Sequence, residues 1–550
     1  MHQNTVSRLL EISDCLTVEG NSYSSQSLTS IAIIGCGASG VATLASLIES
    51  IKNSDYQKYK ISIFEKNSNF GSGLAYQHDS DDLLMNMVSS TTSIFANRET
   101  DFWEWVVDRG HQIDSGQVMS KSGVSPDGYI SRQFFGLYLN DRLHDAISDA
   151  KKINVSVELV NHEVIDIRCR NQYFEVIDCA EHVNRFDYAI LCVGNIEPHD
   201  IFKLKGNSRY VNNPYPTNRY AIGIGKTDTV GIIGGQLTAA DIAVVLAQQG
   251  HAGPIYFFTR GSNHPLVRCA REKFELIHFN LENLEVIKSR QFGEISLRQA
   301  LRLARKDFIR AGVKWNKFFN PVEHSYGDWI GHLFSKGDMY AEWQHFAVAS
   351  DAVIGSYWDA LSASSKRIFM KKYHRLWMCK RVPLPVHTYL KIYSLLKAGI
   401  LNHQTPLLGI EVKASNKFVA LISKADSSKR SIEIECDWII NATGPARSID
   451  GNSGSPLLNK LMRSGLIEVN PFGGIQLDYA TSMVKRGGKK VENFYAIGHL
   501  TSGTYYFVSS LDMVSMGAKR VARDVVNSSR QPKTSEESIS EKQFGVVNAS

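Results

Sequence analysis

Three glycines at the spacing G-x-G-x-x-G, Gly35, Gly37 and Gly40, stand between a short apolar run and a helical pattern. In such a turn the first glycine allows a tight bend, the second lets the backbone approach a pyrophosphate, and the third allows close packing of helix on strand. The N–H groups at the start of the helix then face the phosphates. Glu65, which ends the next apolar run, is placed to accept hydrogen bonds from a ribose. These residues predict a dinucleotide-binding turn.

A second turn further along the chain repeats this pattern imperfectly. Gly234 and Gly235 are present, but Gln236 occupies the position of the second motif glycine, where its side chain either crowds a pyrophosphate or leans away from it. Arg260, at the end of the next strand, suits a ribose 2′-phosphate better than a free hydroxyl and favours NADPH over NADH. We predict nicotinamide cofactor contacts from Gly234, Gly235, Thr238 and Arg260. A duplicated domain that has lost its ligand is the alternative.

Strand and helix patterns surround each turn and must position it. An apolar run, a helical pattern and a second apolar run follow one another in both segments, as in a β-α-β unit. The predicted bounds are 31–34, 38–49 and 60–64 in the first segment, and 230–233, 237–249 and 254–258 in the second. The polar insert KNSDYQKYK explains why Glu65 follows the first turn by more than the usual interval of about twenty residues.

Further strand ends fit the same architecture. The runs 186–194 and 436–444 each lead from an aspartate through apolar residues to a glycine, Gly194 or Gly444, as strands entering a cofactor crevice do. A late segment, 493–503, contains Gly498 and precedes a predicted helix at 508–526. This order predicts an α/β fold with two Rossmann-like dinucleotide-binding domains, the first discontinuous, with helical insertions.

The predicted domain boundaries follow from these elements. The polar ends of the chain are assigned as flexible segments because they have little apolar periodicity. The assignments are an extension at 1–28, a first domain at 29–205 and 430–526, a second domain with a helical insertion at 206–429, and a tail at 527–550.

Composition excludes several other classes of protein. The chain has 550 residues, 43% of them hydrophobic, and a formal net charge of only +6, so nucleic-acid binding is not expected. It contains no apolar run of membrane-spanning length and begins without a secretory signal pattern, so we predict a cytoplasmic protein without membrane association. Its eight cysteines are scattered without zinc-ligand spacing, and no metal site is predicted. Signatures of metalloproteases, P-loop NTPases and serine hydrolases are also missing.

The motifs together resemble the flavoproteins with two dinucleotide-binding domains. More narrowly, the chain is similar to the bacterial FAD/NAD(P)-binding oxidoreductase family that contains FAD-dependent urate hydroxylases, and flavin-dependent aspartate N-monooxygenases resemble it too. The matching motifs span roughly residues 30–525. They are GCGASG at 35–40, FEK at 64–66, GSGLAY at 71–76, LLMNM at 83–87, RQFFGLYL at 132–139, CVGNIEP at 192–198, GGQLTAADIA at 234–243, NATGP at 441–445 and AIGHLTSGT at 496–504.

The resemblance implies FAD in the first domain and NADPH, with NADH as the alternative, in the second. It adds Lys66 and Asn86 to the predicted FAD contacts, and the amide of Asn86 is suited to the flavin edge or, alternatively, to capping a turn. His499 departs from the family, because many flavoproteins carry aspartate there to bind the ribitol. Arg98 and Arg132 are candidates for binding a substrate carboxylate in bidentate geometry, or else surface residues.

The activity implied is that of an NADPH-using monooxygenase acting on a small polar substrate with O₂. N-hydroxylation of an amino acid or amine through a flavin hydroperoxide is the leading hypothesis. A urate-like ring hydroxylase, an NAD(P)H:acceptor flavin oxidoreductase without oxygen insertion, and a sensor that has lost productive nicotinamide binding are the alternatives. No catalytic side chain is assigned, because the flavin carries this chemistry. The basic and aromatic segment 373–385 either lines a cofactor channel or ends an amphipathic helix, and the helix is favoured.

Overall fold

The computed structural model describes residues 28–54, 58–113, 125–261, 264–270, 272–291, 293–319, 339–423, 431–449 and 454–530. The predicted flexible extension and most of the predicted tail lie outside these ranges. The last helix continues to Ser529, so the first residues assigned to the tail are helical.

Strands and helices are numbered along the described chain. The strands are β1 (Thr29–Ile34), β2 (Tyr59–Phe64), β3 (Ser156–Val160), β4 (Val164–Cys169), β5 (Phe174–Asp178), β6 (Val183–Phe186), β7 (Tyr188–Leu191), β8 (Tyr210–Val211), β9 (Val230–Ile233), β10 (Ile255–Phe258), β11 (Leu401–Gln404), β12 (Leu407–Val412), β13 (Phe418–Ser423), β14 (Ser431–Cys436), β15 (Trp438–Asn441), β16 (Met483–Arg486) and β17 (Lys489–Ala496).

The α-helices fall between and after these strands, with short 3₁₀ turns at Ser89–Thr91 and Gly498–Thr501. They are α1 (Ala38–Lys52), α2 (Asp101–Ile113), α3 (Arg132–Lys152), α4 (Asn218–Ala221), α5 (Leu237–Gln248), α6 (Leu281–Ser289), α7 (Leu297–Arg310), α8 (Trp315–Phe319), α9 (Met339–Ala349), α10 (Asp351–Ala360), α11 (Ala363–Lys372), α12 (His374–Arg381), α13 (Val386–Lys397), α14 (Pro456–Arg463), α15 (Ser502–Tyr505) and α16 (Leu511–Ser529). Among the described helices, none is both long and apolar enough to cross a membrane.

The first sheet has six strands in the order β16-β17-β7-β1-β2-β3. All neighbours pair in parallel except the edge strand β16, which is antiparallel to β17. The central strand β1 buries four consecutive residues, 31–34, because both faces of the sheet are covered. Helices α1, α3 and α16 pack on one face, and the strands β4, β5 and β6 pack with α14 on the other. The late strand β17 joins this sheet, which agrees with the predicted return of the chain to the first domain.

The second sheet has five parallel strands in the order β11-β10-β9-β15-β8. Strand β15 pairs here with β9, so the predicted boundary at residue 430 was wrong: the run 436–444 had been assigned to the first domain. The three antiparallel strands β12, β13 and β14 precede β15 and form a separate small sheet. We therefore propose that the chain leaves the second domain only after β15.

Polar contacts join the two domains. Arg132, the first residue of α3, pairs with Asp241 on α5 with 2.8 Å between Nη2 and Oδ2. The hydroxyl of Tyr215 donates to the same carboxylate. Asp79 of the first domain accepts a hydrogen bond of 2.8 Å from the backbone N–H of Thr217. These contacts hold the first and second sheets in a defined relative position.

Candidate functional site

The first turn follows β1 and requires glycine at two of its positions. Gly35 has a φ of +102°, and a Cβ there would lie 2.3 Å from the carbonyl oxygen of Cys192 at the end of β7. A Cβ on Gly40 would lie 2.2 Å from the carbonyl oxygen of Gly35. Gly37 is the N-cap of α1, and no side chain of the described residues caps this helix start. The turn therefore presents backbone N–H groups at a helix N-terminus, which fits a pyrophosphate.

Glu65 lies beside this turn at the end of β2. Its Oε2 accepts a hydrogen bond of 2.9 Å from the backbone N–H of Cys36, and its Oε1 accepts one of 3.1 Å from Asn67. Each carboxylate oxygen has further acceptor capacity, so these bonds orient the group and still leave it able to accept from ribose hydroxyls. The next residue, Lys66, is exposed. The geometry of Glu65 fits a dinucleotide, whereas the contact predicted for Lys66 stays a prediction.

The late segment returns to the start of α1. Gly498 has a φ of +79°, and a Cβ there would lie 2.9 Å from Oγ of Ser39, so the 3₁₀ turn packs closely on the helix. His499 Nε2 lies 2.8 Å from the carbonyl oxygen of Ala446 and must donate, because a carbonyl only accepts. Burial lowers the pKa of His499, and Arg447 adds to this effect. Both effects favour the neutral form of His499, and its predicted place at the ribitol stays a prediction.

The predicted glycines at the ends of β7 and β15 occupy equivalent places. Gly194 has a φ of +75° and Gly444 a φ of +80°, and a Cβ on either would meet no described atom within 4 Å. Both positions therefore border open space at the carboxyl edge of a parallel sheet, where ligands bind in α/β folds. Asn86 lies half-buried in a bend between the bridge at Leu84 and the first 3₁₀ turn. Its role at the flavin stays a prediction.

The second turn follows β9 and repeats the close approach of the first. Gly234 has a φ of +133°, and a Cβ there would lie 2.5 Å from the carbonyl oxygen of Ala442 at the end of β15. Gln236 is the N-cap of α5 and donates from Nε2 to Sγ of Cys379 on α12 at 3.3 Å. The glutamine side chain therefore reaches towards α12. Thr238 lies in the first turn of α5, and its predicted contact with a cofactor stays a prediction.

Two arginines lie near the end of β10. Arg260 follows the strand and is exposed. Arg375 of α12 lies so close to the next residue that a Cβ on Gly261 would be 2.8 Å from its Nη2. The hydroxyl of Thr259 donates to the carbonyl oxygen of Gly261 at 2.9 Å, and this bond orients the backbone on both sides of Arg260. An arginine that follows the strand and a second one whose guanidinium lies beside Gly261 fit the prediction of a ribose 2′-phosphate here.

The helix α12 also contacts the residue that follows α15 in the late segment. His374 Nδ1 lies 3.1 Å from the hydroxyl of Tyr506, which follows α15. Burial lowers the pKa of His374 to about 4, and Arg447 contributes. At its other end the same helix contacts Gln236 through Cys379. The segment 373–385 is helical over His374–Arg381, as favoured from the sequence, and it contacts both Gln236 and Tyr506, which its local pattern did not reveal.

The structure gives Arg132 three partners within the protein, and its predicted substrate role stays a prediction. Its guanidinium pairs with Asp241, donates from Nε to the carbonyl oxygen of Leu84 at 3.2 Å, and donates from Nη1 to Tyr215 at 3.3 Å. The guanidinium is therefore already paired with a buried carboxylate through Nη2. Arg98 has a half-exposed side chain over the ring of Phe95. Its substrate role stays a prediction.

Comparisons with known proteins agree with this geometry. Residues 32–196 match a family model described as FAD-NAD(P)-binding. No curated protein matches the sequence. The chain is similar to the solved ornithine N-hydroxylase of Kutzneria sp. 744, with 14% identity, a TM-score of 0.54, and coverage of 91% of this chain and 99% of that one. It is also similar to the ornithine hydroxylase of Pseudomonas aeruginosa, with 13% identity, a TM-score of 0.54, and coverage of 91% and 99%.

At these identities the solved structures establish the fold, and the family model adds the ligand class of the first domain. Both findings agree with the two glycine turns, each of which opens a helix after a central parallel strand. The family match supports FAD/NAD(P) binding by residues 32–196, and the shared fold confirms the predicted α/β architecture with two Rossmann-like domains.

Proposed function

We propose that the protein is an FAD-dependent, NADPH-using monooxygenase that hydroxylates a small polar substrate at the nitrogen of an amino acid or amine. The observation that carries this proposal is the position of α12. This helix contacts the second glycine turn through Cys379, and it contacts Tyr506, directly after α15, through His374. A nicotinamide held at the second turn would therefore lie near a flavin held at the first. Electron transfer between two bound cofactors needs this proximity.

In this proposal the side chains of the two domains bind and orient the two cofactors and enclose the space between them. When bound, FAD supplies the transfer of electrons from NADPH to O₂ and so the reactive oxygen. Glu65 and the first turn would hold the dinucleotide, and His499 would take the place beside its ribitol. Arg260 and Arg375 bind the 2′-phosphate of the nicotinamide cofactor, which is the basis for expecting NADPH.

Aromatic side chains shield the junction between the domains from water. Trp358 of α10 is 3% exposed and donates from Nε1 to the carbonyl oxygen of Gly503 at 2.8 Å. Its ring centroid lies 4.8 Å from that of Tyr506 and 5.7 Å from that of Phe472. A dry junction suits a monooxygenase, because water at the flavin would divert the reactive oxygen from the substrate.

The choice of an amine nitrogen is supported by the two proteins with the shared fold, which are named as ornithine hydroxylases. The test is to incubate the purified, FAD-loaded protein with NADPH and ¹⁸O₂, offering ornithine, lysine, aspartate and urate separately. We expect substrate-dependent NADPH oxidation and one ¹⁸O atom in a hydroxylamine product. A labelled urate product would indicate a ring hydroxylase. Turnover that continues anaerobically with a quinone, without labelled product, would indicate an NAD(P)H:acceptor oxidoreductase.

A matched control separates cofactor binding from chemistry. The variant Gly234→Val places a side chain 2.5 Å from the carbonyl oxygen of Ala442 and should block the nicotinamide site while the first turn keeps its flavin. We expect this variant to be yellow and to show no NADPH-dependent product. Product formation at the wild-type rate would contradict the assignment of the second turn.

A further inference from the structure

A cluster of two histidines and one aspartate lies in the antiparallel sheet β4-β5-β6, on elements separate from both glycine turns. His162 stands between β3 and β4, Asp178 ends β5, and His182 comes just before β6. The Nδ1 atom of His162 lies 2.7 Å from Oδ2 of Asp178, and the Nδ1 atom of His182 lies 3.1 Å from the same oxygen. The three potential ligand atoms all lie within 4.8 Å of one another.

The aspartate is held in place by its surroundings. Its side chain is 1% exposed, and its Oδ1 accepts hydrogen bonds from the backbone N–H groups of Ala180 at 2.9 Å and His182 at 3.0 Å. These bonds turn Oδ2 towards the two imidazoles. Supporting hydrogen bonds of this kind orient carboxylate ligands in metal sites.

The two imidazoles remain accessible from solvent. The side chains of His162 and His182 are 39% and 63% exposed, and their rings stack with centroids 5.6 Å apart and an interplanar angle of 25°. An ion can therefore reach the cluster without opening the fold. Water molecules would complete its coordination on the exposed side.

We propose that His162, Asp178 and His182 form a binding site for a divalent transition-metal ion. Two imidazole nitrogens and one carboxylate oxygen are a ligand set that suits Zn²⁺, Ni²⁺ and Cu²⁺. With metal–ligand bonds of about 2.0–2.1 Å, the two N···O separations correspond to angles of roughly 80–100° at the metal. Such angles match tetragonal Ni²⁺ or Cu²⁺ directly, and Zn²⁺ would need them to open slightly.

A bound ion would link two successive chain segments. His162 belongs to the connection from β3 to β4, whereas Asp178 and His182 belong to the hairpin of β5 and β6. Because the ion binds only the folded arrangement of these segments, it stabilises the native state by mass action. The site stands independently of the proposed monooxygenase activity.

The test is calorimetric titration of the EDTA-treated, FAD-loaded protein with Ni²⁺ and, separately, Zn²⁺. We expect one tight equivalent in the wild type and at least about a tenfold weaker affinity in His162→Gln and in His182→Gln, equal to about 1.4 kcal/mol. His144→Gln, at an exposed position on α3, is the matched control and should bind as the wild type does. Melting temperatures with and without Ni²⁺ should differ only where the site is intact.

Two further outcomes decide against the proposal. Equal affinity in the wild type and both histidine variants, or binding in none of them, would show that the cluster is only a hydrogen-bonded trio. Cys179 is an exposed thiol next to Asp178, so Cys179→Ser is titrated as well. Loss of affinity in that variant alone would show that a thiolate and not the histidines holds the ion.

Discussion

The first and second domains repeat one topology around two different turns. In each domain, one neighbour of the central parallel strand is the second strand of the β-α-β unit. The other neighbour is the strand that follows a three-stranded antiparallel sheet along the chain. The orders are β7-β1-β2-β3 in the first domain and β15-β9-β10-β11 in the second. The first glycine of each turn packs on the neighbouring strand end in the same way, against Cys192 in one case and Ala442 in the other.

The difference lies in the residues that meet the ligand. The first turn has glycine at its second motif position and an acidic residue, Glu65, at the end of the next strand. The second turn has Gln236 at the first of these places and Thr259 at the second, and the basic residue Arg260 comes one position further along. We therefore propose that a common scaffold sets where a dinucleotide binds and that the residues at these places determine which one.

The largest expected effect comes from filling the first turn. Gly35→Val combines a φ of +102° with a Cβ 2.3 Å from a carbonyl oxygen, and we expect a loss of about 2–6 kcal/mol in the free energy of unfolding, together with loss of FAD. Flavin absorbance per protein and thermal melting measure both. Gly206→Ala is the control, since its φ of +101° is surrounded by open space and only the backbone strain applies. Full flavin content in Gly35→Val would contradict the role of the first turn.

A slightly smaller effect is expected at the contact that joins the domains. Arg132→Met leaves the carboxylate of Asp241 buried without its cation, which costs about 3–5 kcal/mol. Denaturant unfolding measures this loss. The double variant Arg132→Met, Asp241→Leu should recover most of the stability because it removes the unpaired charge. A change confined to substrate KM, with unchanged stability, would support the prediction that Arg132 binds the substrate.

The basic residues of the second turn should decide between the two nicotinamide cofactors. Arg375→Met and Arg260→Met each remove a guanidinium from the 2′-phosphate position, and we expect the Kd for NADP⁺ to rise about tenfold or more. Affinity for NAD⁺, which lacks this phosphate, should change little. Fluorescence titration of both cofactors against each variant measures the ratio. Equal losses for the two cofactors would show that the arginines do not contact the 2′-phosphate.

The smallest effect concerns the residue that breaks the second motif. Gln236→Gly removes the hydrogen bond to Cys379, and because the side chain reaches towards α12 we expect a modest loss of about two- to fivefold in kcat/KM for NADPH. Cys379→Ala, which removes the partner of the same hydrogen bond, should have a similar effect. A large gain in NADPH affinity in Gln236→Gly would instead identify a degenerate site and favour the sensor hypothesis.

Local pattern was enough to predict the turns and the elements around them. Strand β9 was predicted with its observed bounds, and Gly35 has the positive φ that the motif requires. The sheet membership of β15 could not be predicted, because 186–194 and 436–444 share one pattern and only long-range pairing distinguishes them. Arg132 shows the same limit, since its partner Asp241 lies on another domain.

The most direct measurement is the absorbance spectrum of the purified protein under anaerobic conditions, before and after addition of NADPH. We expect a bound oxidised flavin that NADPH bleaches rapidly and that recovers when air is admitted. NADH at the same concentration should bleach it more slowly. Bound flavin that neither cofactor reduces, or protein purified and reconstituted without any flavin, would contradict the assignment of two working dinucleotide sites.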